Sequence, residues 1–365
     1  MKKVVKTIGV LSVASLMSTS AFSQISVSGY AEVGFMSGST EGTRSTGNSK
    51  NLGGESVITV SGKGSLNNGW TYSAYQNIDS DDVNNGRDIA NASPMTTRAI
   101  VLSPNANLNL FYTYDGVYGG EIARTAVPTL TERVVDLTGA TTLAEFIDVT
   151  SGTHAVGFDV LNVGPAGRLS VAYAPNLDAT QSQSSDRLYS ATAQAAINSA
   201  SGYSIGYSVT PGPIRIAAGY TKIDAKQNAT AVDPTSRTLG VTYTAADFAV
   251  GAQRTQNNDG RKIAGTTKFD DKVDTFSANF KATKDITLGA TYSKMEREVV
   301  SGSVNSGDGS GPDTKVMTVG AAYNLGPVVA SIQYEDAKDK NLGSNEKSSS
   351  GLDHKLTKIK VKANF

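Results

Sequence analysis

The connections between the apolar segments of this chain come in two lengths, and the two lengths alternate. Stretches of about ten residues with period-two apolarity occupy 25–35, 55–64, 70–78, 97–103, 108–114, 155–161, 168–174 and 202–209. They continue through 214–223, 237–244, 248–255, 273–281, 286–294, 315–323, 328–335 and 355–365. Short connections fall at 66–69, 104–106, 162–167, 210–213, 245–247, 283–285 and 324–327, each following a long one. The long ones are 36–54, 79–96, 115–154, 175–201, 224–236, 256–272, 295–314 and 336–354. A soluble sandwich has no reason to keep such an order, whereas a closed barrel with tight turns at one rim and long loops at the other produces it. The segment lengths suit tilted bilayer-crossing strands of about 9–11 residues better than the roughly 5–6 of soluble sheets.

Segment 188–197 tests this scheme. Counted as a strand, it gives seventeen and places the 224–236 connection on the short-turn rim. Its run Ser-Ala-Thr-Ala-Gln-Ala-Ala-Ile also suits a short helical turn, so it is assigned to a loop. Sixteen strands remain, an even count, as bacterial single-chain barrels have. The expected fold is all-β: a transmembrane antiparallel barrel.

The aromatic residues give an independent check. With a periplasmic start, Tyr114, Tyr173, Tyr220, Tyr292 and Tyr334 fall at the outer ends of outgoing strands. Phe158, Tyr207, Tyr243, Phe280, Tyr323 and Phe365 fall at the inner ends of returning strands, with Trp70 and Phe248 beside short turns. Two belts at the two lipid–water interfaces result. Between them the same face is apolar (Val27, Ala31, Val33, Val171, Ile216, Val241, Leu288, Ile332), and the other is small and polar (Ser26, Ser28, Thr59, Ser61, Ser170, Thr242, Thr291, Gln333). A soluble barrel would be reversed. Here the interior is expected to hold water.

Residues 1–23 have the three parts of a secretory signal: basic Lys2, Lys3 and Lys6, an apolar run over 8–17, and small residues at Ala21 and Ser23. The mature chain is expected to span 24–365. Removing those lysines leaves 33 − 3 = 30 basic against 33 acidic residues, which speaks against a nucleic-acid partner. Cysteine is absent, so no disulfide stabilises an exported chain.

At this point the chain resembles the Gram-negative general porin family over essentially all of the mature sequence. The opening strand Ile25-Ser-Val-Ser-Gly-Tyr-Ala-Glu-Val-Gly-Phe35, the strand–turn–strand 97–114, the long third connection 115–154 and the terminal Phe365 carry the resemblance, in that order. It implies a homotrimer of sixteen-stranded barrels in the outer membrane, in contact with its lipid and lipopolysaccharide. Each barrel has its own channel for small hydrophilic solutes and ions, narrowed by an inward-folded third loop. It also implies that Phe365 is a tag for the barrel-insertion machinery.

The third connection carries Glu132, Asp136, Glu145 and Asp148 with apolar anchors Leu130, Val134, Leu143 and Phe146. A connection this long is either functional or disordered. The anchors point to packing against the barrel wall, which places the carboxylates on one side of a constriction. For the opposing basic wall, Lys358, Lys360 and Lys362 alternate with Ile359, Val361 and Ala363, so all three share the lumen face. Lys63, Arg98, Arg168 and Arg215 are expected on the same side. Facing rows of opposite charge set up a transverse field. Where family members often carry an inward Arg on the first strand, this chain has Glu32.

No cofactor is expected. The acidic clusters 79–82 and Asp270-Asp271 are candidates for a loop-bound divalent cation or a lipopolysaccharide bridge, but they lack the ligand spacing of a dedicated calcium loop. A barrel enzyme would need a base, and the histidines, His154 and His354, both lie at loop–strand junctions. A substrate-specific channel would want an aromatic track, for which Tyr30, Tyr75 and Phe111 are the inward candidates. An adhesin would use the outer loops. A passive pore is the expectation; enzyme activity is not.

Overall fold

A computed structural model describes residues 24–41, 47–81, 95–124, 146, 148–150, 153–177, 200–225, 233–263, 267–301, 314–338 and 353–365. The chain forms sixteen strands. The first eight are β1 (Gln24–Glu41), β2 (Gly47–Ser65), β3 (Thr71–Asp81), β4 (Met95–Asn105), β5 (Leu108–Tyr114), β6 (His154–Leu161), β7 (Arg168–Leu177) and β8 (Ala200–Val209). The second eight are β9 (Ile214–Ala225), β10 (Thr235–Thr244), β11 (Phe248–Ile263), β12 (Thr267–Lys281), β13 (Ile286–Ser301), β14 (Thr314–Asn324), β15 (Val328–Lys338) and β16 (Asp353–Asn364). Each pairs antiparallel with its sequence neighbours, and β1 pairs with β16, closing the barrel. The strands expected from period-two apolarity are these sixteen. Residues 1–23 and the segment 188–197 lie outside the described residues.

Closure runs through the last residue. The Gly29 N–H donates to the Phe365 carbonyl at 2.9 Å, and the Phe365 N–H donates back to the Gly29 carbonyl at 3.0 Å. In hydrocarbon an unpaired backbone group costs several kcal/mol, so this seam is as necessary to the barrel as any other ladder. Gly29 leaves the space for it: a Cβ there would overlap the Val57 carbonyl and come within 2.9 Å of the Phe365 ring.

Alternation sorts the side chains as expected. Tyr173, Tyr220, Tyr292 and Tyr334 on the outer belt are 39–46 % exposed, and Phe158, Tyr243, Phe248, Phe280 and Tyr323 on the inner belt 38–52 %. The apolar band between them faces outward, whereas Ser170, Ser204, Thr221, Ser236, Thr242 and Gln333 on the alternate positions are buried. Hydroxyls and amides link neighbouring strands on that inner face, as in Thr59 to Asn77 at 2.8 Å and Thr275 with Ser293 at 2.9 Å.

Two connections expected to be long are mostly ladder. β1 and β2 stay in register from Gln24↔Lys63 to Thr40↔Gly47, and β11 and β12 resume pairing at Arg261↔Phe269 after a shift. Beyond the outer belt neither face meets hydrocarbon, so runs such as Ser37-Gly38-Ser39-Thr40 can extend a strand with no apolar alternation.

Replacing Gly29 with Val is expected to push Phe365 from its seam and destabilise the barrel by about 1–3 kcal/mol. The check is the thermal midpoint of the shift between folded and unfolded mobility in detergent electrophoresis, which should fall.

Candidate functional site

The inner wall of β7 to β10 is built from small residues, and the third connection rests on them. Ser170, Ala172, Ser204, Gly206, Ala217, Gly219 and Thr221 share the inward face. Against them lies the 3-10 turn Gly119–Ala123. Its first two amides find wall hydroxyls: Gly119 N–H donates to Ser170 Oγ at 2.7 Å and Gly120 N–H to Ser204 Oγ at 3.1 Å. Gly119 has φ +59, a left-handed conformation, and a Cβ on it would overlap Ser204 Oγ. A Cβ on Gly206 would overlap the Gly119 carbonyl, so wall and turn meet backbone to backbone.

Longer side chains hold the turn's carbonyls. Arg168 donates from Nη2 to the Val117 carbonyl at 3.2 Å and to Asp159 Oδ2 at 2.9 Å. Arg215 donates to the Ile122 carbonyl at 2.9 Å, and Gln253 Nε2 to the Arg124 carbonyl at 3.0 Å. Tyr118 stacks on Phe111 with ring centroids 4.0 Å apart and lies under the Arg168 guanidinium at 5.3 Å. Beside the turn, Glu121 and Arg124 form an ion pair at 2.9 Å.

The far end of the connection returns to the same place. Asp148 is buried, and its carboxylate accepts from Val149 N–H at 2.8 Å, Glu121 N–H at 3.2 Å and Thr150 Oγ1 at 2.5 Å. Burial pushes this carboxyl above the ordinary range, opposed by hydrogen bonds from Ser204, Thr150, Val149 and Glu121. Thr150 Oγ1 also donates to the Gly116 carbonyl at 2.9 Å. Phe146 is buried, with its ring 3.0 Å from where a Gly219 Cβ would be. Phe146 therefore packs on the wall at Gly219. Asp148 is a tie within the loop's root rather than a charge offered to solvent.

The basic residues divide into three groups. Lys358 and Lys360 on β16 are buried on the inward face. Lys360 Nζ pairs with Glu32 Oε2 at 2.5 Å, Lys362 lies 4.0 Å from the same oxygen, and its ammonium sits 3.4 Å from the Tyr30 ring centroid. Glu32 therefore offsets part of the lysine row from the neighbouring strand. Arg168 and Arg215 reach the loop's backbone at the Val117 and Ile122 carbonyls. Lys63 is exposed near the short-turn rim, opposite Gln24.

Arg98 departs from its expected face. The register sets it opposite Tyr114, beside the buried inward pair Ala99 and Thr113. Its guanidinium lies over the Tyr114 ring at 5.0 Å on the outward side. Within β4 Arg98 alternates with buried Ala99 and shares its parity with Ile100, 52 % exposed, so the strand's own apolar face carries it outward. Glu132, Asp136 and Glu145 lie outside the described residues, as do the anchors Leu130, Val134 and Leu143. Asp270 and Asp271 are successive residues of one strand, so they face opposite sides and share no ligand; Asp271 is buried. Among the described residues no cluster could hold a metal ion. The side chains of Asp79 and Asp81 also lie outside the described residues, as does Asp82.

Sequence reasoning did not single out Gly119, Gly120, Asp159, Ser204, Gly206 or Gln253. The Gly119-Gly120 pair, five residues past the aromatic end of β5, was the available signal, since adjacent glycines mark a close backbone approach.

In the ring of sixteen, β8 and β16 stand 16 − 8 = 8 places apart, as far as closure allows. The loop seat and the lysine row are therefore on opposite walls of one polar interior. The sequence matches the Gram-negative porin family over residues 10–363. The chain belongs to that family. It is accordingly an outer-membrane pore protein, a channel rather than an enzyme. The fold is similar to a porin refined at 1.8 Å resolution, at 16 % identity and TM-score 0.60, covering 94 % of this chain and 100 % of that one. OmpT of Vibrio cholerae matches at 13 % identity and TM-score 0.59, covering 93 % and 97 %. A mutant of the Rh. blastica porin matches at 15 % identity and TM-score 0.57, covering 94 % and 100 %. No curated protein matches the sequence.

Replacing Ser170 and Ser204 together with Ala leaves two buried amides without acceptors, a cost of about 1–3 kcal/mol each. Hydrogen exchange at Gly119 and Gly120 is expected to accelerate at least about tenfold, while the amides of β13 to β15 keep their protection.

Proposed function

We propose that this porin forms a water-filled channel for passive diffusion of small hydrophilic solutes and ions, narrowed by the 115–154 connection. The observation that carries this is the hydrogen bonding of the connection's near end to the polar inner face of β7 to β11, with Phe146 at its far end packed on the same face and Asp148 tying the two ends together, opposite the cationic wall of β16. A segment tied at both ends to one wall has its middle available to cross the interior. Its carboxylates Glu132, Asp136 and Glu145 would then face Lys358, Lys360 and Lys362 across the solute path, and the field between them would orient polar solutes.

Specific sugar transport finds little support in the inward aromatics. Tyr30 is covered by Lys362, Phe111 is buried beneath Tyr118, and Tyr75 packs against the same cluster, so these three make no continuous track of ring faces among the described residues. Hydrolysis finds none in His154: its Nδ1 is hydrogen-bonded to Tyr112 Oη at 2.6 Å and its ring packs on Tyr114, both outward aromatics. We further propose that three such barrels assemble as a trimer and that Phe365 is the tag read by the barrel-insertion machinery.

In planar bilayers the purified protein is expected to open in steps of three without saturation by any one sugar. A complete lack of conductance would falsify the channel. Exchanging Lys358, Lys360 and Lys362 for Gln should shift the reversal potential in a salt gradient toward cation preference, and Glu32→Gln should shift it the other way. The double change His154→Gln and His354→Gln should leave conductance as it was.

A further inference from the structure

The inward charges of the wall are sorted along the barrel axis. Lys63 lies two residues from the end of β2, Arg168 opens β7, Arg215 is the second residue of β9, and Lys281 closes β12. Each falls on inward parity at the short-turn end of its strand. Lys281 follows Phe280 of the inner belt, and Arg168 stands opposite Ser208, beside Tyr207 of that belt. On β16, Lys362, Lys360 and Lys358 stand opposite Val329, Ser331 and Gln333, within the first six residues of β15. Against these seven cations the same end holds Glu32, Asp159, Asp247 in the turn before β11, and the terminal carboxylate of Phe365. That leaves 7 − 4 = 3 positive charges. Lys284 and Asp285, in the turn after β12, pair with each other at 3.8 Å.

The long-loop end carries the other sign. Asp271 and Glu335 are buried on inward positions. Glu335 follows Tyr334 of the outer belt, and Asp271 stands five residues beyond Phe276, the ladder partner of Tyr292 in that belt. Arg297 partners Asp271 in the ladder, and its side chain lies outside the described residues. Among the described side chains no Lys or Arg takes an inward strand position at this end: Lys222, Arg237, Lys272, Lys315 and Lys338 all fall on outward parity. The two belts mark the edges of a hydrocarbon layer about 30 Å thick, whereas the Debye length at 0.1 M salt is about 10 Å. Each mouth therefore has a field of its own sign, which low-dielectric walls concentrate.

We propose that this axial sorting makes the channel rectify, with the cationic collar at the short-turn rim as the entrance for anions. This rests on the channel proposed above. When the short-turn side is negative, anions enter through the cationic end and cations through the acidic end. Both then accumulate in the passage, and the current is large. The opposite polarity draws each ion in through the end of its own sign, and the passage is depleted. The transverse field acts across the constriction, whereas this one acts along the axis. Its collar includes Lys63 on β2 and Lys281 on β12, outside the β7 to β11 wall that seats the third connection.

The test records single channels of the full-length protein in a phosphatidylcholine planar bilayer at about 0.01 M and about 1 M salt, where the Debye length is about 30 Å and about 3 Å. A biotin on Asn67→Cys, in the exposed first short turn, reports orientation. Streptavidin is too large for the pore and changes the current only from the chamber that the short-turn rim faces. At low salt the current is expected to be at least about 1.5 times larger with that chamber negative than at the equal positive voltage. At high salt it should become symmetric. K63Q/K281Q should bring the low-salt ratio towards one while the channel still opens, and E335Q should lower it from the other end. K63R/K281R should keep the ratio, and K272Q/K315Q, on the outward face, should leave it unchanged. A larger current at the opposite polarity overturns the proposal, as does a ratio untouched by K63Q/K281Q or lost equally in K272Q/K315Q. A protein that conducts symmetrically at low salt defeats the axial sorting alone, whereas one that never conducts defeats the channel itself.

Discussion

Backbone hydrogen bonding in a medium without water is the constraint on which this structure depends. Every amide and carbonyl that crosses hydrocarbon must find a partner within the protein, and a sheet satisfies this only by closing. The seam between β1 and β16 meets that demand down to the final residue, where Phe365 exchanges both backbone bonds with Gly29. Once closure is imposed, alternation leaves each strand one face for lipid and one for the interior. The Val, Leu, Ile and Tyr side chains and the Ser, Thr and Gln side chains then sort without any further instruction.

The polar interior has a second consequence. A wall rich in hydroxyls and glycines is a surface on which irregular backbone can be satisfied. The turn Gly119–Ala123 gives its amides to Ser170 and Ser204 and its carbonyls to Arg215 and Gln253. Charges that would otherwise line the path are partly consumed in holding this segment or in pairing with each other. Asp159 is bound to Arg168, and Glu32 to Lys360. What the passage presents to a solute is therefore set by pairs and ties, and a census of inward charges alone overstates the field.

Much of the fold was legible because a lipid-facing strand must be apolar on one side, and period-two patterning records that directly. Val27, Val241 and Ile332 announce their face by type alone. Legibility stops where the medium changes. Beyond the outer belt, β1, β2, β11 and β12 continue through polar and glycine-rich residues that no periodicity marks. A charge does not name its face either: Arg98 shares its parity with the exposed Ile100 and stands outward with it. The seat of the third connection was harder still. Serine and glycine in a strand look alike whether they face water or another backbone, so Ser204 and Gly206 carry no signal by themselves. The adjacent glycines 119 and 120 were the local cue.

The central claim is that one face of each strand meets water while the other meets hydrocarbon. The chain's lack of cysteine allows that to be measured directly with single cysteines at neighbouring positions in reconstituted vesicles. Cysteines at Thr287 and Ser331 should react with a charged, membrane-impermeant thiol reagent. Cysteines at Leu288 and Ile332 should resist it and react with a lipid-soluble one. The opposite assignment, or equal reaction at both members of each pair, would contradict the account.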